Sequence, residues 1–216
     1  MVRLWCILIG YFVGAISCSY IVGRINGVDI RQHGSGNLGA TNTMRALGKK
    51  AGILVMLLDF AKIVIVVLLV GLLFGADYPN ESFLLQTYAL LGCILGHDFP
   101  FYLKFKGGKG CACLVGYIVF FHPFEALFLA VIFIGLYFLT HYVSLCTMSL
   151  YASFLVVVII WGQTGTLGLG HNQLIEVYAI YVLLLVITLL KHTSNIKRMV
   201  KGEENKTYLK KKKNKM

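Results

Sequence analysis

Apolar residues in this chain come in long unbroken runs, without the alternation of a half-buried strand or the one-sided stripe of a surface helix. The run from Leu4 to Gly23 holds no charge, and further runs cover about 51–74, 82–96, 144–161 and 174–190. Between Cys111 and Thr140 only Glu125 is charged. A helix of that length would rise about 45 Å, too long for a hydrocarbon layer of roughly 30 Å. His122-Pro123-Phe124-Glu125 in its middle reads as a turn, so the stretch is predicted to form two short helices. The pattern therefore predicts seven membrane-spanning helices. Two glycine-rich polar islands, 24–50 and 97–110, interrupt it, a Gly/Thr/Asn/Gln loop runs to 173, and the chain ends in a basic tail.

Composition agrees. Apolar residues make up 58% and charged residues 13% of the 216, against about 45–50% and 25% in soluble domains. Mean hydropathy is +0.78. These values exclude a soluble globule and a disordered chain, while six scattered cysteines and 3 prolines exclude a disulfide scaffold and collagen. Arg3 and Ala15-Ile16-Ser17-Cys18 give the first run a look of a signal peptide, but its length and its continuation to Arg24 favour a retained helix.

The net charge of +11 matters through its placement. Arg24, Arg31, Arg45, Lys49 and Lys50 sit in the first island, Lys104, Lys106 and Lys109 in the second, and ten bases follow residue 190. The opposite loops hold Asp77, Glu81, Glu125 and Glu176. Lys and Arg collect on the cytoplasmic side of short loops, and all three basic groups share one side only with seven spans. The expected topology has the amino terminus extracytoplasmic and the carboxyl terminus cytoplasmic. Cysteines then lie in lipid or on the reducing side, and Cys111-x-Cys113 lacks a second pair for zinc, so neither metal nor disulfide is expected. The polylysine at 210–213 reads as a lipid-attracted tail; without an aromatic platform or folded basic module, nucleic-acid binding is not expected.

Candidate chemistry sits in the islands. The first contains Gly34, Gly36 and Gly39 in GxGxxG spacing, yet no strand precedes it, and Asp59 lies inside an apolar run, so the dinucleotide-binding reading fails on context. What survives is the anion-binding physics of that motif: converging backbone N–H groups, with Ser35, Asn37, Thr41 and Asn42 as donors and Arg45 as a bidentate clamp. The second island ends Lys106-Gly107-Gly108-Lys109-Gly110 just before a helix start, but Leu103 and Gly110 replace the Gly and Ser/Thr of a P-loop, so nucleotide hydrolysis is not supported. His97 and Asp98 are adjacent and do not form a separated His/Asp catalytic pair. A third group follows the last run, where His192 and Asn195 share a helical face, and Ser144 starts a helix on the same side. Within the second run, Asp59 and Lys62 are one turn apart and read more simply as a structural ion pair than as substrate contacts.

Together these segments resemble the bacterial acyl-phosphate:glycerol-3-phosphate acyltransferases. The resemblance is carried by Gly34-Ser35-Gly36-Asn37-Leu38-Gly39-Ala40-Thr41-Asn42 with Arg45, by Gly96-His97 and Phe105-Lys106-Gly107-Gly108-Lys109-Gly110, and by His192-x-x-Asn195-Ile196-x-Arg198. Asp59 with Lys62 and Tyr142 with Ser144 fit it too. It implies an all-α seven-helix membrane domain over 1–200, a basic tail over 201–216, and an active site at the cytoplasmic face of the bacterial cell membrane. The implied reaction moves an acyl group from acyl phosphate to the sn-1 hydroxyl of glycerol 3-phosphate, giving 1-acylglycerol 3-phosphate and inorganic phosphate without a cofactor. It also implies a functional link to the peripheral enzyme that makes acyl phosphate from acyl-carrier protein. Carried over residue by residue, the catalytic set is Ser35, Arg45, Lys104, His192 and Asn195. The substrate-binding set is Asn37, Thr41, Asn42, His97, Gly107, Gly108, Lys109, Gly110 and Ser144. Arg45 and Lys104 are assigned to phosphate, the glycine loop to the acyl phosphate, and His192 with Asn195 to glycerol 3-phosphate. The proton acceptor is either His192 or a substrate phosphate oxygen. Cys113 replaces a usual Thr, Ala15 and Ser17 replace a Ser and a Pro, and Ile63 replaces a Gly. The competing reading is a small transporter or lipid-binding protein for an anionic solute, but the polar residues gather at one face, not at the midplane, and no internal repeat is visible.

Overall fold

The computed structural model describes residues 1–207, so the polylysine at 210–213 lies outside the described residues. Every regular element among them is helical: α1 Val2–Ala15, α2 Cys18–Ile25, α3 Ala40–Leu47, α4 Lys49–Phe74, α5 Ser82–Asp98, α6 Cys111–Phe121, α7 Pro123–Thr140, α8 Val143–Gln163, α9 His171–Lys191 and α10 Thr193–Val200. Five helical stretches are long and apolar enough to cross a membrane, with α1 and α2 counted as one. At 17 and 11 residues, α5 and α6 fall short of that length, α6 rising about 16 Å. The turn expected at His122-Pro123 separates α6 from α7, with Pro123 at the first helical position, where its missing N–H costs nothing.

The sequence expectation of one continuous helix from Leu4 to Gly23 needs correction. The chain breaks at Ile16–Ser17 and restarts with Ser17 capping α2. A break inside so apolar a stretch frees backbone groups that lipid could not satisfy. Two distant side chains take them up. The Tyr102 hydroxyl donates to the Ala15 carbonyl at 2.9 Å and accepts from the Ser17 amide at 3.1 Å. Lys62 Nζ donates to the carbonyls of Gly14 at 3.1 Å and Ile16 at 3.3 Å. Its charge is balanced by Asp59, 2.9 Å away one turn earlier on α4, and both side chains are buried. The intramembrane pair thus caps a broken helix.

Glycine sets the closest helix contact. A Cβ at Gly10, Gly14, Gly92 or Gly96 would run into the backbone of the opposite helix, so α1 and α5 touch backbone to backbone. Around α5 the interior is filled from α4, α6, α8 and α9, including Ile63, Tyr117, Phe154 and Leu184, all essentially inaccessible. At the far end from the glycine-rich islands, Arg3 grips Glu176 at 2.6 Å, and Tyr88 donates to the same carboxylate at 2.7 Å, tying α1 and α5 to α9. Two further boundaries differ from the sequence reading: the first island folds a short helix, α3, and α9 begins at His171, ahead of the expected end of the preceding loop.

Candidate active site

The three polar islands converge on one cavity of about 430 Å³. Each is brought there by a local device. In the first, Gly34 and Gly36 take left-handed φ values of 56° and 70°, bending the loop around Asn42. Asn42 is buried; its Oδ1 accepts from the Ser35 amide at 3.0 Å, and its Nδ2 donates to the carbonyls of His33 at 2.9 Å and Ile30 at 3.2 Å. This asparagine holds the loop, leaving Ser35 displayed on the cavity wall and Arg45 a turn of α3 further on. A buried Ser19–Thr43 hydroxyl pair, 2.7 Å apart, fixes α3 to α2.

The second island works by close approach. The amides of Gly107 and Gly108 donate to the carbonyls of Asp98 at 3.1 Å and His97 at 2.9 Å, and a Cβ on Gly108 would overlap the His97 ring. These two glycines therefore pack the loop onto the end of α5, and their N–H groups are already engaged. His97 Nδ1 is engaged as well, 2.8 Å from Lys62 Nζ. Since an ammonium has only protons to offer, Nδ1 is the acceptor. Lys109 follows, and burial, foremost, with the neighbouring Arg198, lowers its pKa to about 8. It donates to Asn195 Oδ1. Gly110, at φ 66°, then starts α6, whose first residues Cys111 and Ala112 line the cavity. Ala40 and Thr41 at the start of α3 do the same, so two helix N-termini, with amides that have no intrahelical partner, meet one space.

The third group closes the site. His192 Nδ1 donates to the Thr188 carbonyl at 2.8 Å, which fixes the tautomer with Nε2 as an acceptor. Burial, then the charge of Lys109, lowers its pKa to about 4, so the ring is neutral at pH 7. Asn195 Nδ2 donates to Glu204 Oε1 at 2.6 Å, Ser144 Oγ to the same oxygen at 2.9 Å, and Arg198 Nε to Oε2 at 2.8 Å. Burial raises the Glu204 pKa, but these three donors outweigh it and leave the carboxylate below its ordinary range. Beyond it, Thr207 accepts from Arg45 at 3.1 Å, and its carbonyl accepts from the Tyr137 hydroxyl at 2.7 Å. Residues 204–207 thus strap the end of α7 and the start of α8 to the site.

Ser35, Asn37, Thr41, Asn42, Arg45, His97, Lys109, Ser144, His192 and Asn195 all line the cavity. Lys104, Gly107, Gly108 and Gly110 are outside its lining, and Lys104 is exposed with a left-handed φ of 54°. Glu204 escaped the sequence reading; the signal was that Glu203 and Glu204 are the sole acids after residue 190 in a run of lysines. Away from this polar end the wall is apolar, formed by Phe60 of α4, Val115 and Val119 of α6, and Leu129 and Phe133 of α7.

A family model described as glycerol-3-phosphate acyltransferase matches residues 4–202. Curated relatives named glycerol-3-phosphate acyltransferase include those of Halalkalibacterium halodurans, 37% identical with 94% of each chain covered, and Macrococcus caseolyticus, 40% identical with 95% of this chain and 97% of the relative covered. The Aquifex aeolicus relative is 34% identical over 95% of this chain and its own whole length. Among solved structures, PlsY, an integral membrane glycerol 3-phosphate acyltransferase in its glycerol 3-phosphate form, matches with a TM-score of 0.80 at 31% identity, covering 95% of this chain and 96% of the other. Its lysophosphatidic acid form matches at 0.77 and 30%, with 95% of each chain covered. A polar site joined to an apolar cavity in a helical membrane fold, with these likenesses along nearly its whole length, shows that the chain belongs to the glycerol-3-phosphate acyltransferase family and is a multi-pass membrane acyltransferase.

Proposed function

We propose that the acyl donor is an acyl phosphate and that the protein transfers its acyl group to the sn-1 hydroxyl of glycerol 3-phosphate. The hydroxyl oxygen bonds to the carbonyl carbon, the bond from that carbon to the phosphate oxygen breaks, and 1-acylglycerol 3-phosphate and inorganic phosphate leave. The observation that carries this reading is the joining of a cationic end to an apolar wall within one cavity. Two phosphates side by side repel unless cations and N–H dipoles offset them. Arg45, Lys109 and the N-termini of α3 and α6 supply that offset from two directions. His192 Nε2, a neutral acceptor, is suited to orient the attacking hydroxyl, and the departing phosphate is the final base for its proton. Ser35, Asn195 and Ser144 contribute hydrogen bonds around the acceptor. Lys104 acts from the rim as an exposed cation that attracts the anionic substrates.

In this reading the seven crossings are α1 with α2, then α4 to α9 except that the short α6 crosses as one half of a hairpin, with the amino terminus outside. The convergence of islands one, two and three in a single cavity supports placing them all at the cytoplasmic face of the bacterial cell membrane. Acyl phosphate would reach the site laterally from lipid, after release by the peripheral enzyme that makes it from acyl-carrier protein. The test is a mass balance: purified protein in lipid with palmitoyl phosphate and glycerol 3-phosphate should yield lysophosphatidate and phosphate one for one, and palmitoyl-CoA should yield none. Transfer from palmitoyl-CoA alone would overturn the choice of donor. Arg45→Ala and His192→Ala should each lose turnover; normal turnover and substrate affinity in His192→Ala would remove that residue from the site.

A further inference from the structure

The apolar lining of the cavity ends on the α6–α7 hairpin. α6 and α7 form an antiparallel hairpin, and their cavity-lining residues run from Cys111 and Ala112 up to Val119 on α6, and from Ile134 back to Ala126 on α7. Val119 lies two residues before the end of α6, and Ala126 three after the start of α7, so the lining stops just short of the His122–Pro123 turn. On α7, Ala126, Ala130 and Phe133 share a face at helical spacing with Leu129, which lines the cavity and is 1% exposed. Ala126 is thus a small side chain at the last position before the hairpin closes.

We propose that Ala126, at the same end of the lining as Val119, sets the longest acyl chain that the protein transfers. This rests on the reading that the acyl tail lies along the α6–α7 wall with its carbonyl among the polar residues. The reactive carbonyl is held at the polar end by Arg45, Lys109 and His192, so a tail laid along the α6–α7 wall brings its methyl end to the far end of the lining. Lengthening the tail presses on the side chain at 126. Enlarging that side chain excludes terminal methylenes, and each one kept from the wall lowers specificity about fourfold.

The test compares lauroyl, myristoyl, palmitoyl and stearoyl phosphate as donors to glycerol 3-phosphate, in full-length protein in lipid, for wild type, Ala126→Leu and Ala126→Phe. Leu127→Phe, at a position 71% exposed and outside the cavity lining, is the control. Ala126→Phe should lower kcat/KM for palmitoyl phosphate at least about tenfold relative to lauroyl phosphate, Ala126→Leu should shift in the same direction by less, and Leu127→Phe should keep the wild-type profile. An unchanged profile in both Ala126 variants, or an equal loss at every chain length in both, overturns the proposal. Binding of lysophosphatidates separates it from the choice of donor. If wild type transfers nothing from any acyl phosphate, that choice fails, while weaker binding of palmitoyl but not lauroyl lysophosphatidate to Ala126→Phe still supports the gauge, and equal binding overturns it.

Discussion

Lys62 Nζ stands 2.8 Å from Nδ1 of His97, inside the bundle and behind the loop that carries Lys109. One ammonium therefore joins three things: the break between α1 and α2, the Asp59 carboxylate, and the histidine on which Gly108 rests. Replacing Lys62 by Met strands the buried Asp59 charge and should cost about 3–5 kcal/mol. The double replacement Lys62→Met with Asp59→Asn should recover a substantial part of that loss. Thermal unfolding in detergent measures both; equal stability of the single and double variants would show that the pair is not coupled.

Lys109 gives the site a pH limit. Its pKa, lowered to about 8 mainly by burial, means that the free protein loses a cation at the anion site as pH rises through that value. The phosphate substrates complete their own titration near pH 6, below this window. KM for the anionic substrates should therefore rise above about pH 8 and stay flat between the end of the substrates' own titration and that value. Lys109→Arg keeps its charge throughout and should flatten the alkaline limb, at whatever activity it retains. Identical pH profiles for wild type and Lys109→Arg would assign the limb to another group.

Glu204 orients Asn195. By accepting a hydrogen bond from Nδ2 it turns Oδ1 of that amide towards Lys109. Glu204→Gln presents an amide where Asn195, Ser144 and Arg198 all donate, leaving buried donors unmatched at about 1–3 kcal/mol. The expected result is lower stability and a fall in kcat of about tenfold or more, with Glu204→Asp retaining part of the activity. Unchanged kcat in Glu204→Gln would reduce the strap to a bystander.

Backbone contact between α1 and α5 leaves no room for a methyl group. Gly96→Ala would drive its Cβ into the Tyr11 carbonyl and should lower stability by about 1–3 kcal/mol. Gly71→Ala on α4, where nothing lies within 4 Å, should leave the melting temperature unchanged. A similar response from both variants would argue against the contact.

The five long apolar stretches were legible because lipid imposes a length and an apolarity on a crossing, and the turn at His122-Pro123 followed from the same constraint. The break at Ser17 was not, since an apolar run carries no sign of a hydrogen-bonding partner 85 residues away in Tyr102. Site residues were readable as types but less so as roles. Asn42 and Gly108 stand in motifs that suggest ligand contact, and in three dimensions they hold loops. Glycine between bases looks the same whether its amide faces an anion or a carbonyl. Glu204 was hidden by its basic neighbours, because charge clusters read as surface until a fold brings donors around them.

The shortness of α6 has a mechanical consequence. An 11-residue helix rises about 16 Å, about half of a 30 Å hydrocarbon slab, and α6 is exposed only at Val119 and Phe120. It is held in place by its neighbours, with no broad outward surface of its own. The wall that α6 gives to the cavity is therefore only as stiff as the packing of α4 and α7 against it.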